Sequence, residues 1–153
     1  ERERLAKLEP ELAAAAHEHR TFAHGFLPPA LVERGIYAAT ADLADNYPGV
    51  VERQISPGAE PPPARVETAA YFVVSEALAN SLKHARADSV RLSLARENGA
   101  LLIEVEDDGR GGASAEGSGI VGIRDRVEAL DGTLALSSPP RGGTLLQVVL
   151  PCD

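Results

Sequence analysis

The order of the hydrophobic patterns along the chain predicts a fold of helices and strands (α/β in the broad sense) that belongs to the α+β class. We expect a two-layer sandwich in which helices cover one face of a mixed, mostly antiparallel sheet. The first observation is a long amphipathic helix pattern over residues 64–85. The second is a pair of hairpin patterns, one turning at Asn98-Gly99 and one spanning residues 133–150. The third is a shorter helix pattern, residues 120–130, between the two hairpins.

Two helical segments are predicted before the first strand. Residues 1–26 carry apolar side chains at alternating spacings of three and four, which is a heptad-like seam. Such a seam packs either on its own domain or against a partner helix, and the pattern leaves both open. Residues 30–46 indicate one or two short helices, which Gly35 weakens. The first strand is predicted at residues 50–55.

The remaining strands follow the long helix. Alternating apolar residues predict strands at residues 89–96 and 101–105, joined by the Asn-Gly turn. After the shorter helix, an Asp-Gly turn leads into a strand at residues 133–137. The last strand is predicted at residues 144–150, after a loop rich in proline and glycine.

Composition narrows the possible partners. The chain has 153 residues, of which 44% are hydrophobic and 25% charged, as expected for one globular domain with an appended element. Its formal net charge of -8 argues against a nucleic-acid partner, because proteins that bind nucleic acid normally present a basic surface. We expect no membrane contact, because no run of about 18 apolar residues exists. The single cysteine, Cys152, is consistent with a reducing, cytoplasmic location.

One face of the long helix carries an unusual row of polar side chains. Glu76 and Asn80 are four residues apart, and Lys83 and His84 follow one turn later. An amide oxygen is a suitable ligand for magnesium, and the two basic side chains suit phosphate. Glu76 is placed to orient or deprotonate an attacking group. The alternative is a solvated helix face with a hydrogen bond between Glu76 and Asn80.

A second candidate site follows the strand that ends near Asp107. A fixed carboxylate at the end of a strand accepts a hydrogen bond from an amino group such as that of adenine. Gly109, Gly111 and Gly112 come directly afterwards, and glycine lets the backbone approach a flat ligand closely. The alternative is a plain acidic loop.

Two further glycine-rich segments complete the candidate set. Gly117, Gly119 and Gly122 lie at the start of the shorter helix, where free backbone amides and the helix dipole favour phosphate. Gly143-Thr144 opens the last strand, and the threonine hydroxyl is placed to bond a buried water or carboxylate. A helix entry and a hairpin turn are the simpler explanations of these two segments.

Together these motifs resemble the ATPase domain of histidine kinases. The segments that carry the resemblance are VSEALANSLKHA, VEDDGRGG and GSGIVGIRDRVEALDGTLALSSPPRGGTLLQVVLP. The resemblance covers about residues 48–151 and implies the Bergerat-type fold of the gyrase, heat-shock chaperone, histidine kinase and mismatch-repair ATPases. The short lid, the KHA ending and the GIRDR run are most similar to the NarX/DesK-like branch.

The resemblance implies a role for each candidate residue. Asn80 would bind magnesium, and Glu76 would act with it in catalysis. Asp107 would read the adenine amino group, and Thr144 would support Asp107 through a water. The residues implied to bind ATP are Asn80, Lys83, His84, Asp107, Gly109, Gly111, Gly112, Gly117, Gly119, Ile120, Val121, Gly122 and Thr144.

The resemblance also implies a division of the chain and a reaction. Residues 1–26 would be the C-terminal part of a dimerisation and histidine-phosphotransfer helix, 27–47 linker helices, and 48–153 the ATPase domain. The domain would transfer the γ-phosphoryl group of magnesium-ATP to a histidine of that dimerisation hairpin. The implied partners are the hairpin of the same protein, a second subunit in a homodimer, and a response regulator.

One departure from the branch concerns the phosphoacceptor. The His-Asp motif of the branch is absent from this sequence, and His17 begins a segment, HEHRTF, that only partly matches the box of other kinases because Phe22 replaces a proline. We therefore expect the chain to bind nucleotide without phosphorylating itself.

Two other functions remain open. One is a serine kinase of the anti-sigma-factor type with the same fold, against which the GIRDR run argues. An acid-labile phosphate on the substrate would indicate a histidine kinase, and an acid-stable one the serine kinase. The other is a degenerate nucleotide-binding or dimerisation module, which the complete set of pocket residues disfavours.

Overall fold

The computed structural model describes residues 27–114 and 116–153, and it contains three α-helices and five strands over those ranges. The helices are α1 (Pro29–Asp45), α2 (Ala64–Ala79) and α3 (Ser118–Ala129), and a π-helical turn, Asn80–His84, continues α2. The strands are β1 (Val51–Ser56), β2 (Val90–Glu97), β3 (Ala100–Asp107), β4 (Thr133–Ser137) and β5 (Thr144–Pro151). The helix predicted within residues 1–26, with His17, lies outside the described residues.

The strands form a single mixed sheet in the order β1-β2-β3-β5-β4. β1 and β2 run parallel, and every other neighbouring pair is antiparallel. A parallel pair needs a long crossover connection, and α2 supplies it between β1 and β2. The predicted mixed, mostly antiparallel sheet is confirmed.

Alternation along each strand divides the sheet into a buried and an exposed face. Leu92, Ile103 and Val148 lie on the buried face. Arg91 and Glu106 lie on the other face, where their side chains form an exposed ion pair across β2 and β3 at 3.5 Å. Successive side chains in a strand point to opposite faces, and here only one of the two faces is apolar. The helices therefore pack on that face alone. The predicted two-layer sandwich is confirmed.

α2 lies at the centre of the helix layer. It packs against α1 and α3 as well as against the sheet, so the whole segment Ala69–Val74 is buried. Tyr71 and Phe72 are therefore buried outside the single apolar stripe that the sequence indicated. The guanidinium of Arg126 from α3 covers the Phe72 ring, with 3.8 Å from its central carbon to the ring centroid.

Gly35 divides α1 into two parts. Its φ of 84° interrupts the helical backbone, in agreement with the predicted weak point. The amide of Ile36 restarts the helix and donates a hydrogen bond of 2.7 Å to the Glu67 carboxylate of α2. Leu31 and Leu43, one on each side of the break, are buried in the same core as the sheet. The segment predicted as linker helices thus packs on α2 and shares the core beneath the sheet. The domain boundary near residue 48 stays a prediction.

No helix among the described residues has both the length and the apolar character that a membrane span requires.

The bond from Ile36 to Glu67 supplies a first prediction. Replacing Glu67 with alanine leaves the part-buried Ile36 amide without its acceptor. We expect the free energy of unfolding to fall by about 1–2 kcal/mol, the usual cost of losing a helix cap. Urea denaturation measures the change. The exposed Glu33 of α1 provides the control, since Glu33→Ala should stay within about 0.5 kcal/mol of the unmodified chain. Equal losses of unfolding free energy in both variants would show that the bond from Ile36 to Glu67 does not stabilise the break in α1 at Gly35.

Candidate functional site

The candidate site lies where three strand ends meet the end of the long helix. Asp107, the last residue of β3, is paired with Val90 at the start of β2 and with Thr144 at the start of β5. The π-helical turn that follows α2 lies against this end, because the Ala85 carbonyl accepts a hydrogen bond from the Arg110 amide at 3.0 Å. The end of α2 with its π-helical turn, the end of β3 with the residues after it, the start of α3, and the strands β4 and β5 therefore enclose one space.

That space is a cavity of about 450 Å³. It brings together nine of the residues that the sequence analysis predicted for nucleotide binding: Asn80, His84, Asp107, Gly111, Gly112, Gly117, Gly119, Ile120 and Thr144.

Five predicted residues do not line the cavity. Lys83 is exposed on the π-helical turn, and Val121 is 39% exposed on α3. Gly122 faces the Phe72 ring, and a Cβ on Gly109 would lie 2.5 Å from the Ala85 carbonyl oxygen. Gly109 and Gly122 therefore allow close packing around the site. Glu76 lies beside the cavity, as described below.

The Asp107 carboxylate is held by one donor on each oxygen. The Ser81 hydroxyl donates to Oδ2 at 2.7 Å, and the Gly109 amide donates to Oδ1 at 2.9 Å. Asp107 is only 7% exposed and Ser81 only 3%. Buried charged groups are stable when hydrogen bonds compensate their lost hydration. The carboxylate is therefore fixed in orientation, and its remaining lone pairs accept from whatever enters the cavity.

Ser81 is a site residue that the sequence analysis missed, because it lies on the apolar face of the long amphipathic helix pattern. Its signal was a hydroxyl at a core-facing position between Ala77 and Ala85. A buried hydroxyl normally has a hydrogen-bond partner, so its position on the stripe indicated a polar group beneath the helix. The partner, Asp107, comes 26 residues later.

The walls next to Asp107 are apolar. The side chains that form them come from α2, β3, α3, β4 and β5, and they are Ala77, Val105, Ile120, Leu136 and Leu146. Apart from Ile120, the sequence analysis did not name them as candidates for the site. A cavity with apolar walls and one fixed carboxylate is suited to a flat ring that carries an amino group.

The glycine loop, defined here as residues 109–113, needs two of its glycines for conformation. Gly111 and Gly112 have φ values of 67° and 73°. A Cβ on Gly111 would lie 2.0 Å from the Pro139 carbonyl oxygen, whereas one on Gly112 would meet nothing within 4 Å. The loop thus packs against the turn between β4 and β5. The backbone approaches that turn too closely for a side chain at Gly111 but not at Gly112.

Asn80 and Glu76 converge at the start of α3. A Cβ on Gly119 would lie 3.4 Å from Asn80 Oδ1 and 3.4 Å from Glu76 Oε2. These are hard oxygen atoms of the kind magnesium binds. The described residues contain no group of three or more His, Cys, Asp or Glu side chains able to hold a metal. The donor set therefore fits a magnesium ion that takes few ligands from the protein and the others from phosphates and water.

The Thr144 hydroxyl is bonded to Ser138 in the turn between β4 and β5, with 2.6 Å between the two oxygens. Its backbone pairs with Asp107 in the sheet. Support of Asp107 by Thr144 through a water stays a prediction. Ser138 is a second residue that the sequence analysis missed, and its Ser-Ser-Pro-Pro setting gave no distinguishing signal.

Comparison with known families agrees with this geometry. Residues 65–153 match the family described as histidine kinase-, DNA gyrase B-, and HSP90-like ATPase. The chain belongs to this family. The match contains every residue of the cavity, so the resemblance inferred from the motifs is confirmed at the level of the family.

Three relatives with names from signal transduction are similar to this chain. The chain is 34% identical over 93 residues to the signal transduction histidine-protein kinase/phosphatase DegS of Brevibacillus brevis, covering 58% of this chain and 24% of DegS. It is 42% identical over 84 residues to UhpB of Salmonella typhimurium, also a histidine-protein kinase/phosphatase, covering 53% of this chain and 16% of UhpB. The nitrate/nitrite sensor protein NarQ of Escherichia coli is 33% identical over 90 residues, covering 56% and 16%. These relatives are consistent with the NarX-like branch.

A solved structure supports the same assignment. The ATP binding domain of PrrB from Mycobacterium tuberculosis superimposes with a TM-score of 0.58 at 26% identity, covering 77% of this chain and 91% of that one. The chain is thus similar over most of its described length to a solved ATP-binding domain. The chain spans about a quarter or less of the length of the three sensor kinases.

Gly111 and Gly112 form a matched pair for a second prediction. Alanine at either position is strained, because φ is positive at both. Only Gly111→Ala also drives a Cβ against the Pro139 carbonyl. We expect Gly111→Ala to lower the free energy of unfolding by roughly 1–3 kcal/mol more than Gly112→Ala, and to weaken ATP binding more. Chemical denaturation and calorimetry measure the two effects. Equal behaviour of the variants would contradict the proposed contact between the loop and the turn.

Proposed function

We propose that the cavity binds ATP with the adenine amino group on Asp107, and that the domain supplies the γ-phosphoryl group for phosphorylation of a histidine. The observation that carries the proposal is the buried Asp107 carboxylate, held on both oxygens and open to the cavity. A carboxylate so held accepts from the amino group of adenine. The keto oxygen of guanine would bring a second acceptor against it.

The phosphates are proposed to lie at the start of α3. The first amides of a helix have no intrahelical acceptor, and the helix dipole adds a positive partial charge there. Gly119, in the first turn of α3, lines the cavity, and Gly117 lies just before it. His84, on the π-helical turn, also lines the cavity. Lys83 is exposed on the same turn, and we propose that it meets the phosphates from the solvent side.

Asn80 is the proposed magnesium ligand. Its oxygen and the Glu76 carboxylate meet at the start of α3, which is also the proposed position of the phosphates. When bound, magnesium neutralises the charge that develops on the transferring phosphoryl group. Glu76 is proposed to orient, or take the proton from, the imidazole that attacks the phosphorus. Gly109, Gly111 and Gly112 shape the base site. Gly122, with Ile120 and Val121, belongs to the proposed segment over the phosphates.

The role in a longer protein is part of the proposal. The relatives, named as a signal transduction histidine-protein kinase/phosphatase and a nitrate/nitrite sensor protein, support a parent that dimerises through a phosphotransfer hairpin, phosphorylates a histidine there and passes the phosphoryl group to a response regulator. Residues 1–26 are proposed to be the end of that hairpin, 27–47 the linker, and 48–153 the catalytic domain. The domain would act in the cytoplasm, where ATP is available.

Asn80 provides the test of the metal site. We expect magnesium to strengthen ATP binding to the unmodified chain, and Asn80→Ala to reduce that gain by at least about tenfold. Binding of adenosine, which has no phosphates, should be unchanged. Calorimetry with and without magnesium measures both ligands. Asn46→Ala at the end of α1 is the control and should behave like the unmodified chain. A full magnesium effect in Asn80→Ala would refute the assignment of Asn80.

A further inference from the structure

The turn between β4 and β5 contributes a hydroxyl that links two parts of the site. Ser138 is half-buried, and its Oγ accepts a hydrogen bond from the Ala113 amide at 2.8 Å. The same oxygen lies 2.6 Å from the Thr144 hydroxyl. The Ser138 carbonyl also accepts from the Gly112 amide at 3.0 Å. One serine therefore holds the end of the glycine loop and contacts a side chain that lines the cavity.

The positions of the acceptors favour one arrangement of the two hydroxyl protons. If Thr144 donated to Ser138, the acceptor left for the Ser138 proton among the described residues would be the Gly143 carbonyl, at 3.5 Å. Good O–H···O bonds span about 2.5–3.0 Å, so that acceptor is poor. If Ser138 donates to Thr144 instead, its proton enters the short 2.6 Å bond. The Thr144 proton is then free for an acceptor in the cavity.

We propose that Ser138 is a positioning residue that makes the Thr144 hydroxyl a donor toward the nucleotide base. The chain of donors runs from the Ala113 amide to Ser138, from Ser138 to Thr144, and from Thr144 into the cavity, directly or through a water. This inference rests on the proposed binding of ATP. It adds a specificity element from outside the motifs that identified the site.

Because Asp107 and Thr144 are paired in the sheet, the Thr144 donor lies next to the Asp107 acceptor. Asp107 presents an acceptor and Thr144 presents a donor from neighbouring strands. Adenine carries an amino donor beside a ring nitrogen that accepts, which complements that order. The 6-oxo base of ITP carries an oxygen acceptor beside a ring N–H donor, which reverses it. Ser138 thus favours ATP over ITP by keeping the Thr144 proton directed toward the base.

The test compares ATP and ITP binding by calorimetry in four proteins: the unmodified chain, Ser138→Ala, Ser138→Thr and Ser137→Ala. We expect Ser138→Ala to bind ATP about fivefold more weakly and to lose a similar factor of its preference over ITP, as expected for one neutral hydrogen bond. Ser138→Thr keeps the hydroxyl and should restore the preference. Ser137 is exposed on β4 and paired with Leu145, so Ser137→Ala should leave both values unchanged.

A double variant separates positioning from a general structural role. If Ser138 acts through Thr144, removing both hydroxyls in Ser138→Ala/Thr144→Val should cost no more ATP-over-ITP preference than Thr144→Val alone. An unchanged preference in Ser138→Ala, or additive losses in the double variant, would overturn the inference while leaving the ATP site intact. Failure of the unmodified chain to bind ATP would instead refute the proposed function. Hydrogen exchange at the Ala113 amide, measured without nucleotide, should be faster in Ser138→Ala than in Ser137→Ala, because only Ser138→Ala removes the acceptor of that amide.

Discussion

The buried carboxylate of Asp107 is the interaction on which the arrangement of the site depends. Its position is set by the sheet, because it ends β3 between β2 and β5. Its orientation is set by the Ser81 hydroxyl from the helix layer and by the Gly109 amide from its own loop. A buried charge without such donors would cost several kcal/mol, so the sequence must supply both. The contact between the helix layer and the end of the sheet is therefore also the part of the site that we propose to read the base.

The glycines around this carboxylate follow from how closely the segments approach. A Cβ on Gly143 would lie 2.2 Å from the Asp107 carbonyl oxygen, and one on Gly111 would lie 2.0 Å from the Pro139 carbonyl oxygen. The glycine loop and the turn between β4 and β5 are thus in backbone contact on one side of the cavity. On the other side, Gly119 brings α3 against Asn80. Close packing leaves the cavity between the Asp107 carboxylate and the start of α3.

Much of this could be predicted from the sequence because the patterns are local. Alternating residues defined β2 and β3, the Asn-Gly turn joined them, and Asp107 stood out as a carboxylate between a strand and glycines. The missing parts depend on tertiary contacts. Ser81 gains its role only when β3 ends beneath the helix, and Ser138 only when the turn meets the glycine loop. Lys83 was predicted on the same face as His84, but the π-helical turn leaves it exposed outside the cavity walls.

The most direct test of the account is calorimetry of ATP binding to Asp107→Asn, with Asp108→Asn as the matched control. Asp108 is exposed and accepts hydrogen bonds from the amides of Asp88 and Ser89, and an asparagine oxygen can accept the same bonds. Asp107→Asn replaces an acceptor in the base site with an amide and loses a charge-assisted bond. We predict a loss of roughly tenfold to hundredfold in ATP affinity for Asp107→Asn and little change for Asp108→Asn. Equal affinity in Asp107→Asn and the unmodified chain would contradict the assignment of the base site.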